Sequence, residues 1–376
     1  MKKTIVHQIS LSNIIGGVQL SFLEYFKEAT KTSKFNHEVF GMHPLGENLD
    51  FDVSKYKNIK SSIFIFLQFC YRLYSKNYII HFYNNLGSKK LFYLLKFIPS
   101  NNIIFHERGT SWNLPKSKGY IIKSNIKKSV KVIVNSEASR ILLRDKFNIK
   151  IDNIEVLYNG IYLSSSKPLK VKTEKRFKIG FLGRLDTHKG VHSFIDLSKI
   201  MKNHIFHVAG TGSLESLLHK YGSSISNLKF LGRVSSSDFL SNIDLLIVPS
   251  IREPLGNVII EAGFLKCPVI ASNIDGIPEI IDNNLSGILI SPTIPLREID
   301  LPHNAVSYPE FVVDGITRKL TTPKELDILK LKDAVNFLLE NNLKRNEISE
   351  DLFKKVKANF SLSVYFDKLE SIYMSI

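Results

Sequence analysis

Twice along this chain, short runs of β-branched and aromatic residues alternate with longer amphipathic stretches. Few folds accept that alternation, because it is the pattern of parallel strands joined by crossover helices. In the first half the spacing predicts strands over 4–9, 37–40, 78–81, 102–106, 131–134 and 154–157, with helices over 18–29, 62–75, 88–97 and 137–146. The stretch SSSKPLKVKTE at 164–174 is polar, lysine-rich and interrupted by Pro168, which reads as a connection between domains. The alternation then restarts, with strands over 177–182, 205–208, 228–231, 244–248, 269–271 and 287–290, enough for a complete Rossmann-like sheet. The expected architecture is α/β: a Rossmann-like domain over 1–165, a linker over 166–176, and a second Rossmann-like domain over 177–360, the two facing a cleft. A terminal amphipathic helix over 361–376 is expected to pack back on the first domain. The proline-rich residues 292–323 show no period and read as an irregular insertion.

Composition narrows the classes. Of 376 residues 44% are hydrophobic and 23% charged, which excludes wholesale disorder. The longest apolar run, Ile63–Tyr71, contains Gln68 and falls short of the roughly 18 to 20 residues of a membrane span. The opening Met1–His7 lacks the apolar stretch of a signal peptide, and Cys70 and Cys267 stand too far apart in sequence to suggest a disulfide framework or a cysteine metal site. A cytoplasmic setting is expected. The charge is uneven: residues 1–165 hold 24 of the 51 basic and 11 of the 35 acidic side chains, a net of +13 out of +16. A basic half beside a near-neutral half points to a polyanion, whether nucleic acid, anionic membrane or phosphorylated substrate.

The sharpest local signal is Glu253-Pro-Leu-Gly-Asn-Val-Ile-Ile-Glu261, directly after an apolar strand. Pro254 and Gly256 turn the chain into a helix, so the amides of Gly256, Asn257 and Val258 fall at a helix amino terminus, where a diphosphate is favoured. Glu253 stands beside that turn and Glu261 within the helix, two carboxylates suited to hydroxyl pairs; alone, they could equally be a helix cap and a surface acid. The second signal is Gly183-Arg184-Leu-Asp-Thr-His-Lys189-Gly190, again at a strand's carboxyl end. Arg184 offers a planar fork and Lys189 a point charge, a combination fitted to two phosphates, although a solvated basic loop would look the same. Val208-Ala-Gly210-Thr-Gly212 and Phe230-Leu-Gly-Arg233-Val234 are further strand-end turns where backbone groups could hold a base.

Taken in order, GRLDTHKG, VAGTG, FLGRV, DLLIVPS, EPLGNVIIEAG, PVIASNIDGIPEII and SGILI resemble the nucleotide-sugar half of the family 4 retaining glycosyltransferases, over about residues 177–291. The resemblance implies the GT-B fold. It also implies that Arg184 and Lys189 bind the donor diphosphate, that Glu253, the first glutamate of the E-x7-E motif, binds donor sugar hydroxyls, and that Glu261 binds ribose. In the first half the likeness is thinner. Asn13-Ile-Ile-Gly16-Gly17-Val18 resembles the family's glycine-rich loop near the donor phosphate, and its spacing is not that of a nicotinamide fold. His106, after the strand ending Ile-Ile-Phe, takes by resemblance the place of a histidine reaching the transferred sugar. His81, Glu107, Arg108 and Trp112 are acceptor-side candidates, Trp112 as a sugar platform or as core.

The same resemblance implies a metal-independent enzyme with no cofactor beyond the nucleotide sugar. Expected partners are a nucleotide-sugar donor, a glycan or glycolipid acceptor of the lipopolysaccharide, O-antigen or capsule kind, and an anionic inner leaflet touched by 71–76, 89–97 and 116–131, where bases interleave with apolar residues. Two rivals stand beside this reading. A sugar-nucleotide epimerase would keep the fold, and a basic nucleic-acid-binding protein would use the charge, but no nucleic-acid-binding module is legible.

Overall fold

The computed structural model describes residues 2–12, 16–47, 49–98, 102–150, 153–161 and 176–376. The expected linker therefore lies outside the described residues except for Arg176, as do Asn13 to Ile15 of the glycine-rich loop. The chain divides into two compact units, Met1–Tyr162 with Ser361–Ile376, and Leu163–Phe360.

In the amino-terminal unit the order is β1 (Thr4–Gln8), α1 (Gly17–Thr32), β2 (Asn36–Gly41), β3 (Tyr56–Asn58), α2 (Ile63–Tyr74), β4 (Tyr78–Tyr83), α3 (Lys89–Phe97), β5 (Ile103–Glu107), α4 (Gly119–Lys127), β6 (Lys131–Val134), α5 (Glu137–Phe147) and β7 (Ile154–Val156). The strands form one parallel sheet in the order β3-β2-β1-β4-β5-β6-β7. β3 was not expected, because a three-residue polar edge strand shows no alternation to read. Parallel strands covered on both faces read as continuous apolar runs, and β5 is buried along its whole length. One face packs on α2, α3 and α4 around Phe69, Leu73, Leu91 and Ile122. The other packs on α1 and a terminal helix that returns from the far end of the sequence, contributing Tyr365, Leu369 and Tyr373.

The second unit runs β8 (Lys178–Leu182), α6 (Val191–Ile200), β9 (Ile205–Ala209), α7 (Glu215–Gly222), β10 (Leu228–Phe230), α8 (Ser236–Ser241), β11 (Leu245–Val248), α9 (Asn257–Phe264), β12 (Val269–Ser272), α10 (Ile277–Ile280) and β13 (Ile288–Ile290). Its parallel sheet has the order β10-β9-β8-β11-β12-β13, the doubly wound arrangement whose switch point lies between β8 and β11. The segment expected to be irregular instead contributes to two short antiparallel ribbons, β14 (Ile294–Pro295) with β17 (Lys324–Glu325) and β15 (Val312–Val313) with β16 (Leu320–Thr321). Two-residue strands are too short for a period to register, which is why the sequence showed none. Helices α11 (Ile328–Glu340) and α12 (Asn342–Asn359) complete the unit, and α13 (Leu362–Met374) is the returning helix of the first.

Candidate active site

Ligands of doubly wound sheets bind outside the carboxyl ends of the strands at the switch point. In the second unit that place is built by the loops after β8 and β11. The β8 loop is first tied to its other neighbour: Gly183 N–H donates to Ala209 O (3.0 Å), Leu185 N–H to Thr211 O (3.0 Å), and Leu214 N–H to Leu185 O (2.8 Å). Gly210 has φ +131, and a Cβ there would stand 1.9 Å from Gly183 O, so only glycine lets the two backbones meet. Asp186 fastens the same junction, accepting from Ser213 N–H (3.2 Å) and its hydroxyl (2.8 Å).

The loop then crosses to β11. Ile251 and Arg252 N–H both donate to His188 O, at 2.9 and 3.1 Å. Gly190 has φ +62, and a Cβ would lie 2.0 Å from Pro249 O. Lys189 and Glu253, 64 residues apart, are thereby brought together as an ion pair, Nζ to Oε2 at 2.5 Å, with Ser250 Oγ donating to the same oxygen at 3.1 Å. The pair is largely shielded, the side chains being 18% and 9% exposed.

Glu253 is held by its backbone as well as its carboxylate. Its N–H donates to Asp275 Oδ2 at 2.7 Å, and its carbonyl accepts from Gly276 N–H at 3.2 Å. Asp275 Oδ1 accepts from Val313 N–H at 2.7 Å, and Arg318 Nη1 donates to Asp275 O at 2.8 Å, so the ribbon β15–β16 region braces this turn. Burial pushes the Asp275 carboxyl up to about 7 against the opposing pull of those two backbone donors. Burial, assisted by the charges of Lys189, Arg252 and Arg184, holds the His188 imidazole down at about 2.

The remaining donor-side candidates fall as follows. Arg184 is 69% exposed and its Nη1 lies 3.3 Å from Asp186 Oδ2. Gly256 caps α9 at φ +110, so Asn257 and Val258 open the helix and its positive dipole end starts beside Glu253. Glu261 is half-buried in the second turn of α9. Arg233 is exposed on the loop after β10. Sequence reasoning did not single out Arg252, Ser250 or Asp275. Arg252 and Ser250 flank Glu253 in sequence, the one signal available, whereas Asp275 comes from the next strand's loop.

The amino-terminal candidates fall at a helix start and on buried side chains. Gly16 caps α1 and its N–H donates to Gln19 Oε1 at 3.2 Å, with Gly17 the first helical residue. His81 and His106 are buried and stacked on each other, with His81 Nε2 3.3 Å from His106 Nδ1 and His81 Nδ1 2.5 Å from Tyr373 Oη of α13. The pleat explains this, since His7, His81 and His106 all point to the face covered by α1 and α13. Burial holds all three imidazoles well below their ordinary range. Glu107 is buried too, accepting from Gly109 N–H (2.9 Å), Ser111 N–H (2.9 Å) and the Thr110 hydroxyl. Arg108 donates to Asn159 Oδ1 (3.1 Å) and Ser21 Oγ (3.2 Å), and Trp112, 2% exposed, donates to Ser139 Oγ at 3.4 Å. These side chains are buried inside the unit, and His106 Nε2 is left without a hydrogen-bond partner.

The two doubly wound parallel sheets define the GT-B class of fold. HepE of Anabaena, solved in complex with UDP-glucose, shares it with a TM-score of 0.71 over 99% of this chain and 100% of its own, at 16% identity. Residues 176–297, which contain the site just described, match the family model of the group 1 glycosyl transferases. An uncharacterised glycosyltransferase of Methanocaldococcus jannaschii is 29% identical over 190 residues, 44% of this chain and 48% of that protein. The capsular polysaccharide biosynthesis glycosyltransferase CapM of Staphylococcus aureus is 23% identical over 68% of this chain and 58% of its own. The chain thus spans about half the length of these curated relatives.

Proposed function

We propose that this protein is a retaining glycosyltransferase that moves a sugar from a nucleoside-diphosphate sugar to a glycan acceptor, lipid-linked and of the lipopolysaccharide, O-antigen or capsule kind. The observation that carries the reading is the stitched pair of loops at the β8/β11 switch point, which sets Lys189 on Glu253 beside the amino terminus of α9, inside the stretch matching the group 1 glycosyl transferases. Lys189, Arg184 and the dipole of α9 take up the negative charge that grows on the diphosphate as the anomeric bond breaks. Glu253 holds donor sugar hydroxyls and Glu261 the ribose. The acceptor hydroxyl attacks the anomeric carbon on the face the diphosphate leaves, and its proton passes to the departing phosphate oxygen. No protein base and no metal is required. A thermal-shift and hydrolysis screen over the common nucleotide sugars tests this: one donor should raise the melting temperature and release its nucleoside diphosphate. Stabilisation by none of them overturns the reading, and conversion of the donor to an epimeric nucleotide sugar would mark the rival epimerase.

The protein works, in this proposal, on the cytoplasmic inner leaflet. Among the described residues no helix is long and apolar enough to cross a membrane. Instead α2 exposes Ile63, Phe64, Leu67, Tyr71 and Tyr74 at helical spacing, and α3 exposes Phe97 beside Lys89, Lys90 and Lys96. Exposed apolar residues on one helix and exposed lysines on the next suit an anionic leaflet, each basic residue near the surface contributing about 1 kcal/mol. The protein should sediment with phosphatidylglycerol vesicles at low salt, and Phe64→Glu with Leu67→Glu should release it. Failure of the unaltered protein to sediment removes the membrane from the proposal.

A further inference from the structure

A second polar site lies at the opposite end of the amino-terminal sheet from Gly16. The starts of β1 and β2, the end of α1 and the approach to β3 enclose a cavity of about 500 Å³. Lys2, Lys31, Lys55 and Lys57 line it, with Glu38 the one carboxylate among the lining residues. Glu38 is already engaged, by Arg72 at 2.8 Å and Lys57 at 3.6 Å. Among the described residues Lys2, Lys31 and Lys55 make no ion pair, although Lys55 feels the carboxylate of Asp52 and Lys31 stands in the last turn of α1. The carboxyl end of α1 and Glu370, which accepts from Ser33 Oγ at 3.0 Å, oppose an anion here. The lining carries four ammonium groups against one carboxylate, so it stays net positive beside the helix end.

An independent observation lies in the cavity wall. His37 lines it, is 6% exposed, and pairs its Nδ1 with His7 Nε2 at 2.9 Å. Its Nε2 is buried with no hydrogen-bond partner. In the tautomer where Tyr83 donates to His7 Nδ1 and His7 Nε2–H donates to His37, the Nε2 of His37 carries a proton that lacks an acceptor. A buried donor left unmet is destabilising, and an anionic oxygen in the cavity removes that cost.

We propose that this cavity binds a phosphomonoester, its oxygens taken by Lys2, Lys31, Lys55 and His37 Nε2. A volume in the small-molecule range gives room for the polar body that carries the phosphate. Two sources share the chemistry, a soluble phosphorylated metabolite and a phosphomonoester lipid headgroup. The test is calorimetry on the whole protein with glycerol 3-phosphate and inorganic phosphate, alongside flotation with phosphatidylcholine vesicles with and without phosphatidic acid. Saturable binding should weaken at least about tenfold in Lys31→Ala with Lys55→Ala and persist in Lys189→Ala. The His37 ring resonances should shift on addition of glycerol 3-phosphate. Binding to phosphatidic acid alone, lost in the double variant, assigns the lipid source, and binding to glycerol 3-phosphate assigns the soluble one. Absence of saturable binding in both arms overturns the proposal. So does binding that is lost in Lys189→Ala but kept in the double variant, since the phosphate would then occupy the donor site.

Discussion

Lys189→Ala should lower turnover about a hundredfold to a thousandfold, the typical loss when one preorganised charge contact to a developing anion is removed. The structure adds a second consequence. Lys189 neutralises Glu253, whose side chain is 9% exposed, and truncation leaves Ser250 as the only side chain hydrogen-bonded to that carboxylate among the described residues. A shielded carboxylate deprived of its cation is destabilising, so Lys189→Ala should also lower the melting temperature. Glu253→Gln should behave differently. It releases Lys189 for the diphosphate while weakening the grip on sugar hydroxyls, so affinity for intact donor falls and affinity for nucleoside diphosphate stays or rises. The double variant should be strongly non-additive, because the two side chains touch. Glu261→Gln, at the residue proposed to hold the ribose, should weaken both ligands. Calorimetry with donor and with diphosphate distinguishes these outcomes; equal loss of both ligands in Glu253→Gln would take the sugar role away from Glu253.

Acid should unfold this protein through its buried histidines. Burial beside Lys55 holds His37 at about 4, below its ordinary 6.5. Between those values the unfolded chain binds the proton and the folded one does not, so stability rises with pH. The contribution is complete above about pH 6.5 and drains away as the pH falls toward 4. From pH 7 to pH 5 the loss from His37 alone is about 2 kcal/mol. His7, His81 and His106 are depressed in the same direction, with Arg108 adding to burial at the last two. Asp275, raised to about 7, works the other way in the second unit, binding its proton in the folded state as the pH falls. Hydrogen exchange separates the two, since amides of β1, β4 and β5 report on the histidine-bearing sheet. Their protection should fall between pH 7 and pH 5, and His81→Phe should flatten that slope. A protection factor indifferent to pH over this range would show that the histidines are already charged or solvated in the native state.

Apart from the short edge strand β3, the succession of strands along the chain was legible from the amino acids alone, because strand and helix periods and the glycine or proline turns that separate them are local properties. The same locality made the loops after β8 and β11 readable: glycine is required where backbone meets backbone at Gly190 and Gly210, and a helix amino terminus announces itself at Gly256. Lys189 and Glu253 could be named as site residues, but not as partners, since their meeting depends on β8 and β11 lying side by side. Asp275 was invisible for a similar reason, serving the site through the backbone of a residue on another loop. The histidines show the limit most plainly. The pairing register puts His7, His81 and His106 on one face of the sheet, His7 lying opposite His81 and His106 opposite Tyr83. Whether the face is open to a sugar or sealed depends on α13, whose Tyr373 reaches His81 across 292 residues of chain. Only closure of the tertiary structure sets that contact, and with it the burial of the histidines.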